Sequence, residues 1–255
     1  MLSTFARGIV TRRMRNCTLK LCLLIGLILA LPDASAEPEQ TGLTKPTGAI
    51  EGTVYYKPDA KRRWRYQRYY VSKPKTGEIA EAVVAVSGMA GKPRRAGQVA
   101  VMNQVNYRFV PETLAIRAGD SVRFKNSDDA LHNVLSHDGA KPFNINLVKG
   151  GEHVQRFDRA GGLAKPLRLG CVYHGAMQAW VYVFDHPHYQ VTGTDGKFRL
   201  ENLPPGKLEL AIRHAAGRLA SKKQIIIEAR KTTRIDIRIS PNDLIQSQEK
   251  QINSP

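Results

Sequence analysis

Three residues with metal-binding side chains lie close together in the segment Leu169–Met177. They are Cys171, His174 and Met177, which offer a thiol, an imidazole and a thioether. Successive side chains of a β-strand point to opposite faces, so one strand cannot direct all three to one point, whereas a loop that follows a strand can. Soft sulfur ligands combined with imidazole favour copper over the other common metals. The segment therefore predicts a copper-binding loop.

A further histidine completes this donor set. His132 follows the predicted strand Ser121–Lys125, so it should lie on a neighbouring loop. Two imidazoles and a thiolate around the metal, with methionine as a weak axial ligand, form a type 1 (blue) copper site, which transfers single electrons. The sequence predicts one such site, with copper bound by His132, Cys171, His174 and Met177. The alternatives are zinc in the same ligands, although copper(II) has the higher intrinsic affinity, and a site that binds no metal.

The order of these four residues resembles that of the cupredoxin family, to which plastocyanin and amicyanin belong. The short loop with Cys171, His174 and Met177 is most similar to amicyanin, and Phe109–Asn126 resembles the family's early strand pair. The resemblance extends from about Ala96 to Asp185. It implies a Greek-key β-sandwich and makes His174 the point at which electrons enter and leave.

The resemblance also implies a supporting role for Asn133, which follows the first histidine. In the family, the residue after the cysteine is often Ser or Thr and pairs with the loop of the upstream His-Asn. Here that residue is Val172, which has no hydrogen-bonding group in its side chain. Asn133 is therefore expected to brace the two loops through backbone groups.

The pattern outside the metal loop is that of an all-β protein. Short alternating segments are separated by glycine and proline, a pattern typical of β-sandwiches and barrels. Thr192–Leu210 resembles the carboxypeptidase-regulatory (transthyretin-like) β-sandwich, whose first strands would be Gly48–Tyr56 and Ala82–Ser87. The predicted fold is a cupredoxin Greek-key β-sandwich plus a smaller carboxypeptidase-regulatory-like β-sandwich.

Because the first strands of the smaller sandwich precede the cupredoxin, we predict a discontinuous domain. Residues 47–92 plus 188–240 form it, the cupredoxin domain of residues 96–187 is inserted, and residues 241–255 form a loose C-terminal tail. The simpler alternative is two or three consecutive β-units.

The first 36 residues have the pattern of a cleaved signal peptide. Basic residues precede the apolar run Leu21–Leu31, and Ala34-Ser35-Ala36 has the small-residue pattern of a cleavage site. We therefore expect export to the periplasm, cleavage after Ala36 and no transmembrane span in the mature chain. An uncleaved membrane anchor is the alternative. The mature chain would retain Cys171 as its single cysteine, so an internal disulfide is excluded.

The charge of the chain is strongly positive. It is +17 overall, and loss of the signal peptide would leave about +13. In an exported protein this favours an acidic partner, a membrane surface or a cell-wall polymer over nucleic acid. The basic, aromatic segment 57–75 is either a docking surface for an anionic partner or a solvated hairpin whose aromatic rings cover the sheet.

Several function classes remain in competition. The two-domain organisation resembles proteins of methylamine utilisation, which implies an exported dehydrogenase or cytochrome as redox partner. A copper carrier or storage protein is one alternative, and a non-redox binding module with an incidental metal site is another. No motif with paired carboxylates or a Ser/His set favours an enzyme. His186-Pro-His188 makes only a weak case for a second metal because no third ligand accompanies it, and His137, His153 and His214 are isolated.

Overall fold

The computed structural model describes residues 45–57, 61, 63, 65–68, 70–71, 73–92, 97–137, 142–240 and 243. The predicted signal peptide, much of the basic segment and nearly all of the predicted tail lie outside these residues. The described part contains seventeen strands and one four-residue helix. The prediction of an all-β protein is therefore confirmed. In this part of the chain, no helix has both the length and the apolar character needed to cross a membrane.

One group of strands comes from the two ends of the described chain. They form two sheets with the orders β13-β1-β16, in which β17 also pairs with β1, and β12-β2-β14-β15. The strands are β1 (Gly48–Tyr56), β2 (Val83–Val86), β12 (Tyr189–Val191), β13 (Lys197–Leu203), β14 (Gly206–His214), β15 (Leu219–Ile227), β16 (Thr232–Arg234) and β17 (Ile237–Ile239). Alternate side chains of these strands, among them Ile50, Val84 and Ile212, fill one apolar core.

Strand β1 connects the beginning of the described chain to its end. It runs antiparallel to β13 and parallel to β16 and β17. Strand β2 likewise lies between β12 and β14. A discontinuous domain needs such pairings, because its first strands must pair with strands that follow the inserted segment. Strands β1 and β2 do so, since their partners lie after residues 96–187. Where each domain begins and ends stays a prediction.

The basic segment contributes little regular structure within its described residues. Helix α1 (Arg65–Arg68) is its one named element there. The ring of Tyr66 packs edge-on against Tyr56, with ring centroids 6.0 Å apart, and contacts the core of the flanking strands. This contact fits the interpretation in which the aromatic residues cover the sheet.

The intervening strands form two further sheets with the orders β4-β3-β6-β9 and β5-β11-β10-β7-β8. The strands are β3 (Val99–Val105), β4 (Arg108–Val110), β5 (Thr113–Arg117), β6 (Ser121–Asn126), β7 (His132–Ser136), β8 (Phe143–Leu147), β9 (Glu152–Arg156), β10 (Leu167–Gly170) and β11 (Gln178–Phe184). Side chains from both sheets meet in a second apolar core that includes Met102, Phe124 and Val181. This β-sandwich carries the predicted metal ligands.

Strand β11 has apolar side chains on both faces. Ala179, Val181 and Val183 belong to the core of the intervening sandwich. Tyr182 and Phe184 point the other way and pack with Val83 and Ala85 of β2, and Trp180 packs against the same cluster. Because strand side chains alternate, this one strand joins the core of one sandwich to the outer face of the other.

Candidate metal centre

His132 is the first residue of β7, and the loop that precedes it is held by a buried amide. The side chain of Asn126 donates to the carbonyl oxygens of Ala130 and Leu147, both at 2.8 Å. Its own oxygen accepts from the N–H of Asp128 at 2.9 Å. These bonds fix the turn between β6 and β7. They place His132 inside the sandwich, where it is fully buried.

Cys171 follows directly after β10, which pairs with both β7 and β11. The loop Cys171–Met177 therefore begins beside the strand that starts with His132. A hydrogen bond of 2.9 Å from the Met177 N–H to the His174 carbonyl oxygen closes a turn within this loop. The turn brings His174 back over Cys171 before β11 begins.

Three of the four predicted ligands converge. The Nδ1 atoms of His132 and His174 are 3.1 Å apart, and the Cys171 Sγ is 3.7 Å from the His174 Nδ1. The donor atoms of the three residues all lie within 4.8 Å of one another. Cys171 is buried and His174 is half-buried.

These separations fit a single bound ion. The separations of 3.1 and 3.7 Å are each shorter than the combined length of two metal–ligand bonds, which are about 2.0 Å to imidazole nitrogen and about 2.3 Å to sulfur. The donor chemistry and its spacing therefore suit the His2Cys site that the sequence predicts.

Met177 lies at the end of the same loop and is 2% exposed. It belongs to the same apolar cluster as Cys171, and the two residues line one cleft at the surface. The fourth predicted ligand is thus a buried residue in the cluster that contains Cys171. Its role as axial ligand stays a prediction.

Asn133 contacts the cysteine through its backbone. Its N–H donates to the Cys171 Sγ at 3.3 Å. Its side-chain amide points instead to β8, where it donates to Asn144 and to the Oδ1 of Asn146 at 3.1 Å. Val172, at the position where the family often has Ser or Thr, is exposed. The two loops are therefore joined by the backbone of Asn133 rather than by its side chain.

Asp128 is a residue of this centre that the sequence analysis missed. Its Oδ2 lies 2.7 Å from the Nε2 of His132. A neutral imidazole that donates from Nε2 keeps a lone pair on Nδ1, the nitrogen that faces His174. Burial raises the pKa of the Asp128 carboxyl group, but hydrogen bonds from the Tyr107 N–H and from His132 outweigh it and hold the pKa below its ordinary value. In the sequence, the one indication of this contact is that an acidic residue lies four positions before His132.

The remaining histidines do not form a second cluster of this kind. Among the described residues, His132, Cys171 and His174 are the one group of three or more potential metal ligands. His186 accepts a hydrogen bond at Nδ1 from the His188 N–H, at 3.1 Å, and burial lowers the pKa of both side chains. No third ligand accompanies this pair within the described chain, so it remains a weak metal site.

Comparison with known proteins gives the following likenesses. A purple cupredoxin from Nitrosopumilus maritimus is 24% identical and is matched over 33% of this chain and 98% of its own, with a TM-score of 0.29. A copper-containing nitrite reductase from Thermus scotoductus SA-01 is 24% identical, over 40% of this chain and 25% of its own, with a TM-score of 0.32. A reduced amicyanin mutant is 19% identical, over 39% of this chain and 97% of its own, with a TM-score of 0.31. No family model and no curated protein matches the chain.

These similarities are confined to part of the chain, and their TM-scores are low. The interpretation of the site rests on its own donor geometry.

Proposed function

We propose that the protein is a type 1 copper protein that carries single electrons between redox partners. The observation that carries this proposal is the convergence of one thiol and two imidazole groups, with Nδ1 to Nδ1 and Sγ to Nδ1 separations of 3.1 and 3.7 Å. Thiolate and imidazole in this arrangement select copper, and a single copper ion supplies a one-electron change between Cu(I) and Cu(II).

Each residue has a distinct part in this function. Cys171 supplies the thiolate, and the N–H of Asn133 donates to its sulfur. His132 and His174 supply imidazole nitrogens, and Met177 supplies the weak axial thioether. Strand β7 carries His132, and β10 and β11 anchor the two ends of the loop that carries the other three residues, so little rearrangement is needed when the charge at the centre changes. His174 is half-buried, whereas His132 is fully buried, which supports His174 as the point where electrons enter and leave.

We further propose that the protein acts in the periplasm after cleavage of its signal peptide at Ala36. The positive charge of the chain favours an acidic redox partner, such as an exported dehydrogenase or cytochrome, and methylamine utilisation is the proposed setting. A small, weak interface suits such a partner. In this proposal the protein is a carrier and not an enzyme, and nucleic acid is not a ligand.

The decisive experiment compares spectra. The protein is produced by export to a bacterial periplasm, and Cu(II) is added to the metal-free form. Visible and electron paramagnetic resonance spectra are recorded for the wild type, Cys171→Ser and the control His137→Gln, which changes an exposed histidine outside the donor set. We expect an intense visible band with small hyperfine splitting in the wild type and the control, and its loss in Cys171→Ser.

Other outcomes identify the alternatives. A colourless protein that binds zinc in the same residues, or no metal at all, would contradict the redox function and direct attention to the flanking sandwich as a binding module. A blue protein that releases copper to a chelator faster than it exchanges electrons would instead be a copper carrier.

A further inference from the structure

The hairpin between β3 and β4 reaches the metal centre with an unusual turn. Its two loop residues, Asn106 and Tyr107, both have positive φ, at 53° and 57°. Two such residues between paired strands form a type I′ turn, which strongly prefers glycine at its second position. A bulky residue at positive φ is rare, and strained residues of this kind concentrate at functional sites. Tyr107 therefore occupies a turn position at which glycine is the preferred residue.

The ring of Tyr107 packs against both histidines. Its centroid lies 5.4 Å from the ring of His132 and 4.9 Å from that of His174, with interplanar angles of 90° and 85°. These are edge-to-face contacts, an arrangement that aromatic rings favour. Tyr107 is also 54% exposed. Its ring therefore lies between solvent and the two imidazoles.

A single carboxylate fixes this arrangement. Asp128 accepts hydrogen bonds from the N–H groups of Asn106 and Tyr107, at 2.7 and 2.9 Å. The same carboxylate binds the Nε2 of His132 at 2.7 Å. The turn that carries Tyr107 and the ring of His132 are thus tied to one side chain.

The ring of His174 has fewer polar contacts outside the donor set than the ring of His132 within the described chain. His132 is held by the start of β7 and by Asp128. In the described chain, the polar contacts of the His174 ring are those to His132 and Cys171, the other two members of the donor set. The ring of Tyr107 packs against His174 from outside that set and restricts its movement.

We propose that Tyr107 is a positioning residue that covers the solvent side of the donor set and holds the ring of His174. The cover excludes small external ligands from the centre. The proposal rests on the proposed function only where it concerns bound copper, because the ring contacts involve side chains of this chain alone.

The first test uses the metal-free protein and needs no copper. The rate at which diethylpyrocarbonate modifies His174 is measured by mass spectrometry in the wild type, Tyr107→Gly, Tyr107→Phe and Tyr173→Ala. Tyr173 is the matched control, since it is exposed and adjacent to His174 but makes no ring contact with the histidines of the described chain. His137, which is exposed, reports the reagent dose within each sample.

We expect faster modification of His174 in Tyr107→Gly, by about two- to twelvefold if one edge-to-face contact limits access. Tyr107→Phe and Tyr173→Ala should match the wild type. Because Asn-Gly is the preferred type I′ sequence, Tyr107→Gly should melt no lower than the wild type, so faster modification cannot be attributed to unfolding. Equal rates in Tyr107→Gly and the wild type would overturn the proposal, and so would a Tyr107→Phe variant that behaves like Tyr107→Gly.

The second test titrates azide into the copper-loaded variants and follows the visible band. Tyr107→Gly should bind azide more tightly than the wild type, by a similar factor, while Tyr173→Ala should not. Equal azide affinity in Tyr107→Gly and the wild type would contradict the exclusion of external ligands. If the wild type shows no such band, the proposed copper function fails, whereas the modification rates still decide whether Tyr107 covers His174.

Discussion

The Oδ2 of Asp128 lies 2.7 Å from the Nε2 of His132, at the ring nitrogen opposite the one that faces His174. The carboxylate therefore orients the ring of His132 and favours the tautomer that leaves a lone pair on Nδ1, without belonging to the donor set.

Asp128→Asn is expected to weaken copper binding. The amide is a poorer acceptor than the carboxylate, so the ring of His132 is less firmly held, and loss of such a partner typically lowers metal affinity about 10- to 100-fold. The visible band should keep its position because Cys171 is unchanged. Competition titration with a chelator measures the affinity. Asp129→Asn is the control, since Asp129 is exposed and pairs with Lys149 instead. Equal affinities in the two variants would contradict the role of Asp128.

Met177→Leu is expected to leave the visible band in place and to raise the reduction potential. The band arises from the thiolate, while loss of the weak thioether donor destabilises the oxidised state. Leucine has a similar volume, so the core should tolerate the change. Voltammetry measures the potential. Met102→Leu makes the same substitution at a fully buried position in the same apolar cluster and should not change the potential. If Met177→Leu and Met102→Leu had the same reduction potential, Met177 would not be a ligand.

Thr192→Val is expected to destabilise the flanking sandwich. The buried hydroxyl of Thr192 accepts from the Ala82 N–H at 3.0 Å and donates to the Ile79 carbonyl oxygen at 2.8 Å, which joins distant parts of the chain. Valine leaves both backbone groups unpaired, at a cost of about 1–3 kcal/mol for such a buried group. Denaturant unfolding measures the loss, and Thr232→Val, at an exposed strand position, should have little effect. A loss no larger than in this control would argue against the link.

Glu81→Gln is expected to stabilise the protein at neutral pH. Burial raises the pKa of Glu81 above its ordinary value of 4.5, and this effect exceeds the opposing hydrogen bonds from Thr113 and Glu112. The adjacent carboxylate of Glu112, which binds Arg108 and accepts from the Tyr70 hydroxyl, also disfavours the charge.

The sign of the pH effect follows from the raised pKa. As pH rises above about 4.5, the unfolded chain loses the Glu81 proton before the folded chain does, so unfolding becomes easier. The stability advantage of Glu81→Gln should therefore be largest near pH 7 and should vanish toward pH 4. Thermal unfolding across this range measures it, with the exposed Glu228→Gln as control. An advantage that is independent of pH would show that the charge of Glu81 is not its cause.

The convergence of His132, Cys171 and His174 could be predicted from sequence because thiol and imidazole groups are chemically distinctive. Cys171, His174 and Met177 occupy one short loop, and His132 follows a recognisable strand. Asp128 and Tyr107 escaped prediction because their roles depend on tertiary geometry. Strands β4, β5 and β6 separate Tyr107 from His132 along the chain. Contact between Tyr107 and the histidines requires β3 to lie beside β6.

The strands themselves could be predicted from alternation, but their partners could not be fixed in the same way. The alternating pattern of β1 predicts a half-buried strand. The resemblance of Thr192–Leu210 to a known sandwich predicts that β1 belongs to the same domain as this distant segment. Its parallel pairing with β16 and β17 has no signature in the sequence. Such pairing depends on which exposed edge remains when the other strands have formed.

The two-sided packing of β11 has a consequence for how the chain can be divided. Its sequence must satisfy two cores at once, with small aliphatic residues on one side and Trp180, Tyr182 and Phe184 on the other. A fragment limited to the sandwich that carries the candidate metal centre would expose this aromatic side and would tend to aggregate. Substitutions along β11 are constrained by packing on both of its faces, so a change in this strand affects the stability of both sandwiches.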